Sequence, residues 1–158
     1  VDLADWSELF VAAAGASAAL AGLIIVAMSV NIDVIVTFAS LPSRAGATIA
    51  LLVVVVVVSI LGLVPALPLA VAGGVTLAAG VACLAFGVDA TIRMVRDRGG
   101  QGVGNGLVLL LPSLAFVIGG GMLAAGVEPG MNVIAAGMIL AFVSSVLNAW
   151  VLLVEIRR

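Results

Sequence analysis

The sequence predicts an all-α integral membrane protein: a bundle of five transmembrane helices, N-terminus outside and C-terminus cytoplasmic. Three observations carry that expectation. Of the 158 residues, 65% are hydrophobic and 9% charged, with a mean hydropathy of +1.44, which is more apolar surface than a water-soluble fold can hide. The apolar residues fall into stretches long enough to cross a bilayer, for which about 20 residues at about 1.5 Å each are needed. All six basic residues are arginines confined to three short gaps, Arg44, then Arg93, Arg96 and Arg98, then Arg157 and Arg158, and the alternate gaps hold none. That alternation is the positive-inside pattern of a multi-span chain.

The first span is expected over residues 9–30, with Trp6 at its outer boundary and Asn31 and Asp33 at its inner one. Asp2, Asp5 and Glu8 stand where a cleavable signal would carry positive charge, so this span is expected to remain as a transmembrane helix. Residues 45–88 are almost continuously apolar, about twice what one crossing needs, so the chain must turn back. Pro65 and Pro68 mark the turn, because proline removes a backbone donor and restricts the residue before it. Spans two and three are therefore placed at 45–64 and 69–91. Residues 53–58 are six valines, which in water would favour a strand. In hydrocarbon a lone strand leaves its backbone groups unpaired and a helix pairs them internally, so helix is expected. Span four is placed at 107–127, with Pro112 near its start, where it is tolerated or causes a small kink. Glu128, Pro129 and Gly130 form a turn and span five follows at 131–154. Five crossings put every arginine on the cytoplasmic side, the N-terminal carboxylates and Glu128 outside, and Trp6 and Trp150 at opposite interfaces. The whole chain, 1–158, reads as a single membrane domain.

Small residues recur at every fourth position, as Ala14, Ala18 and Gly22 in span one and as Ala70, Gly74, Ala78 and Ala82 in span three. Span five repeats the spacing with Gly137, Ala141, Ser145 and Ala149, and span four offers Gly120 with Ala124 and Gly121 with Ala125. Such ridges let helix backbones approach closely in lipid, so these four helices are expected to pack tightly. Span two, with few small residues, is expected to face lipid or to act as a wedge. More ridges are present than a five-helix monomer obviously needs, which points to self-association. Residues 73–81 and 119–127 agree at seven of nine positions; an internal duplication and the limited composition of the chain both account for this.

No Asp, Glu, Lys or Arg lies near the middle of a span. A charge there costs at least about 2.5 kcal/mol and is kept mainly for ion or proton coupling, so a pump is disfavoured. Polar groups gather instead at two levels. Asn31, Asp33, Arg44, Asp89, Arg93 and Asn148 are expected to share the inner boundary, with Asp89 and Arg93 one helical turn apart and able to pair. This layer is either a set of salt bridges and caps or an inner-facing binding site or gate, with Asn148 the deepest member. Asp2, Asp5 and Glu8 form an outer acidic collar. It would concentrate cations if copies of span one surrounded a pore, or it is an ordinary acidic helix start.

The glycine-rich residues 99–106 lack the lysine and the preceding strand of a phosphate-binding loop and are expected to be a flexible cytoplasmic linker. Without histidine, lysine or tyrosine, and with Cys83 alone, no metal centre, cofactor, disulfide or activated nucleophile is expected. A net charge of -2 without a basic cluster gives no footprint for nucleic acid.

The opening Asp5-Trp6-Ser7-Glu8-Leu9-Phe10, the Ala/Gly-rich span closing on Ser29-Val30-Asn31, and then Leu41-Pro42-Ser43-Arg44-Ala45 resemble a group of small uncharacterised multi-pass membrane proteins of actinobacteria. The resemblance covers about the first third of the chain and the general topology, and it implies a bacterial plasma-membrane location without an activity. The expected function is a non-enzymatic membrane protein that acts by association, as a homo-oligomer or an accessory subunit, with membrane lipids and itself or another membrane protein as partners. The alternative is a passive channel or permease for small ions or solutes.

Overall fold

The computed structural model describes residues 2–30, 32, 40–98 and 100–154. A 3₁₀ turn at Leu3–Trp6 leads into α1 (Ser7–Val30), followed by α2 (Ser40–Gly62), α3 (Leu69–Arg98), α4 (Gly100–Ala124) and α5 (Gly130–Val154). Among the described residues there are five helices long and apolar enough to cross a membrane. The protein is therefore an all-helical membrane protein.

Local chemistry explains most boundaries. Asp2 caps the opening turn by accepting the Ala4 N–H at 3.0 Å, satisfying one of the donors a helix start leaves open. α2 begins at Ser40, ahead of the expected residue 45, because Pro42 falls in its first turn, where no backbone bond is lost. After α2 the chain tightens through Leu63 and Val64, whose N–H groups donate to Ile60 and Leu61. It then turns through Ala66, which takes a left-handed φ of 56° between Pro65 and Pro68. The Pro68 carbonyl receives the Val71 and Ala72 N–H groups and so starts α3. α4 ends at Gly126, whose φ of +73° completes a Schellman motif: the Val127 N–H donates to Met122 O at 2.9 Å and the Gly126 N–H to Leu123 O at 3.1 Å.

Three sequence expectations are corrected. The glycine-rich stretch is helical from Gly100 onward, so it is not a linker. α3 and α4 pack against each other as far as Gly106, which lies against Thr91, and such packing offsets the low helix propensity of glycine. Pro112 consequently sits at mid-helix, not near a helix start. Span two is not lipid-facing. α2 touches all four other helices and has the largest buried share of the five, 50%. Arg44, Thr48, Leu52, Val55 and Ser59 form one buried face along it; the polar members of that face avoid lipid and draw α2 into the centre.

The every-fourth-residue ridges are corrected on α1 and α3, whereas Gly137, Ala141 and Ser145 of α5 are buried and Gly120 and Ala124 of α4 lie against α3. On α1 Ala18 and Gly22 are exposed and Ala14 is half-buried; the packed line is Phe10, Ala13, Ser17 and Ile24. On α3 Ala78 is exposed, and a Cβ placed at Gly74 would meet nothing within 4 Å. Apart from Ala72, the buried residues there are Gly73, Thr76, Gly80, Cys83, Gly87, Ala90 and Met94, an alternation of three and four that keeps one face on a neighbouring helix. α5 follows the same rule with Gly130, Ile134, Gly137, Ala141, Ser144 and Asn148, and Ser145 is buried beside them. α4 packs on both α3 and α5, and glycines on each side bring the backbones together: Gly80 against Phe116 and Val117, Gly137 against Ala115. One apolar core draws on all five helices, with Phe10, Leu51, Val55, Phe116, Ile134 and Met138 fully buried.

Candidate functional site

α2 and α5 meet near the bundle end that carries Arg44, Arg93 and Arg96, and there two polar side chains are buried together. Arg44, in the second turn of α2, is 4% exposed, and Asn148, near the end of α5, is 1% exposed. The Arg44 Nε donates to Asn148 Oδ1 at 2.8 Å. That bond fixes which amide atom faces the guanidinium, and it leaves Asn148 Nδ2 buried without a partner. Thr48, one turn on, donates from Oγ1 to the Arg44 carbonyl at 2.9 Å. Burying a guanidinium costs several kcal/mol unless hydrogen bonds compensate it, and the Asn148 amide supplies one such bond. The arrangement offers hydrogen-bond donors and a positive charge. It can bind an acceptor or pin α2 to α5, and it supplies neither a general acid nor a general base.

Other members of the expected inner layer lie elsewhere. Asp89 and Arg93 pair with each other across one turn of α3, Nε to Oδ2 at 2.8 Å and Nη2 to Oδ1 at 3.3 Å, on a face where both side chains are more than half exposed. They do not join Arg44 and Asn148. Asn31 and Asp33 lie outside the described residues. The outer collar does not assemble within the bundle either. Asp2 serves as a cap, and Asp5 and Glu8 are exposed. Among the described residues no group of three or more His, Cys, Asp or Glu is placed to hold a metal.

Sequence reasoning missed the buried hydroxyls. Ser144 donates to the Val108 carbonyl of α4 at 2.8 Å, and Ser113 donates to Cys83 Sγ of α3 at 3.4 Å. Thr76 and Thr91 bond the carbonyls one turn back on their own helix, while Ser17, Ser59 and Ser145 are buried without a partner. The usable signal was the seven-residue spacing of Gly73, Gly80 and Gly87, and of Gly130, Gly137 and Ser144, which marks the two faces packed on α4. An apolar groove of about 420 Å³ lies between α1 and α2, lined by Ile25, Met28 and Ile49 among others.

The chain matches no protein-family model, and neither a curated protein nor a solved structure is similar to it, so the actinobacterial resemblance gains no support from these comparisons.

Proposed function

We propose that this is a non-enzymatic membrane component that acts by association, as a homo-oligomer or as the accessory subunit of a membrane complex. One observation carries this reading: the small-residue stripe of α1 is turned outward. Gly15, Ala18 and Gly22 are exposed, and a Cβ placed at either glycine would meet nothing within 4 Å. Lipid tails are as apolar as leucine, so a lipid-facing position gains nothing from being small; a second helix backbone does. The arginine pattern supports an N-terminus outside and a C-terminus in the cytoplasm. Native mass spectrometry in mild detergent tests the reading. A discrete homo-oligomer lost on Gly22→Leu, or a stoichiometric complex with another chain, is the expected result. A strict monomer, with no partner crosslinked in native membranes, overturns it.

A second reading, a passive channel for small cations between copies, rests on Glu8. It is exposed on the same stripe, seven residues before Gly15, so association through this stripe gathers the carboxylates at one mouth. Large side chains fill the interior of a single bundle, so the path would run between subunits. Cation flux into liposomes that is absent, or unchanged by Glu8→Gln, removes this reading.

A further inference from the structure

α4 carries its proline at mid-helix, within a buried face. Proline has no N–H, so the carbonyl four residues earlier, that of Val108, loses its helical donor. Within a membrane such a carbonyl has no water to turn to and must be satisfied by the protein. The Ser144 hydroxyl of α5 stands there, 2.8 Å from Val108 O, and Ser144 is itself buried. The buried threonine hydroxyls behave differently: Thr48 and Thr76 bond the carbonyl one turn back on their own helix. Ser144 reaches across to the one carbonyl of α4 that the proline leaves open. On the other side, Ser113, next to the proline, donates to Cys83 of α3. The proline turn is thus tied to both neighbours, and the helix surfaces on either side of it meet through glycine, at Gly87 against Leu110 and at Gly137 against Ala115.

We propose that Pro112 and Ser144 form a latched hinge. Pro112 makes residues 108–112 the bendable point of α4, and the Ser144 bond holds that point closed against α5. When the bond opens, the half of α4 that meets α3 at Gly106 and Thr91 moves relative to the half locked by Gly119 and Gly120. The latch thereby couples the packing of α5 to the part of α4 before Pro112, which lies against α3 at Gly106 and Thr91.

A double-mutant cycle with a distance readout tests this. Spin labels are placed at the exposed positions Leu107→Cys and Ile118→Cys in a Cys83→Ser background, and the full chain is studied in detergent. Ser144→Ala is expected to broaden the label-to-label distance distribution and lower Tm by about 2–4 °C. In the Pro112→Ala background, Ser144→Ala is expected to change neither, because the N–H restored at position 112 takes the Val108 carbonyl. Equal effects of Ser144→Ala in both backgrounds, or no broadening when Pro112 is present, overturn the proposal.

Discussion

At the scale of single residues, Arg44 shows how a membrane bundle accommodates a buried charge. Its side chain is buried, and a neutral amide on a helix 104 positions away in sequence is one acceptor, bonding its Nε. A hydrogen bond to a charged group contributes about 1.5–3 kcal/mol. Asn148→Leu is expected to lower stability by about that amount. Arg44→Lys is expected to fall as well, because an ammonium on a flexible stem cannot present a donor with the geometry of Nε. Denaturation of the purified protein in mixed micelles measures both, and an Asn148→Leu variant as stable as the parent would show that the bond contributes nothing. The sequence made Arg44 and Asn148 visible as polar residues at one level. It did not show that they would meet, or that Asp89 and Arg93 would pair on an exposed face instead.

At the scale of elements, the pair α3–α4 depends on glycine at chosen positions, not on glycine content. A Cβ at Gly80 would stand 2.9 Å from the Val117 nitrogen and 3.0 Å from the Phe116 Cβ, whereas one at Gly74 would meet nothing within 4 Å. Gly80→Ala is therefore expected to destabilise the bundle by about 1–3 kcal/mol, the usual cost of overpacking a tight contact. Gly74→Ala is expected to be neutral or to stabilise by up to about 1 kcal/mol through helix propensity. The same micelle titration compares them, and equal losses from the two would contradict the assigned faces. The four-residue ridges seen in the sequence failed on α1 and α3 because alanine and glycine are so abundant that many spacings can be found. The three-four alternation of the buried residues is the one that keeps a helix face on its neighbour.

At the scale of the whole molecule, α2 organises the bundle, although its valine and leucine run has the composition expected of a lipid-facing span. Hydropathy does not separate inside from outside in a membrane, since lipid is no less apolar than the core. The small number of polar side chains does: Arg44, Thr48 and Ser59 put one face of α2 inward. Orientation is a separate property, read only from the arginines. Single cysteines at Glu128 and at Arg96, in a Cys83→Ser background, are expected to react with an impermeant maleimide from outside the cell and only after permeabilisation, respectively. The reverse pattern would invert the proposed topology.

The sequence by itself determined the membrane class, the number of spanning helices and the positions of the proline- and glycine-bounded turns. Each of these follows from segment length, apolarity and backbone hydrogen bonding, which are local properties. Only the tertiary structure decided that the glycine-rich stretch is helix, that α2 is central, that Asn148 holds Arg44 and that Ser144 closes the carbonyl opened by Pro112. Those outcomes depend on which faces meet across distant helices. In a chain this uniformly apolar, helix faces are distinguished by a few methyl-sized differences and a few polar atoms, and the seven-residue glycine spacing that marks the packed faces of α3 and α5 competes with many chance spacings of alanine and glycine.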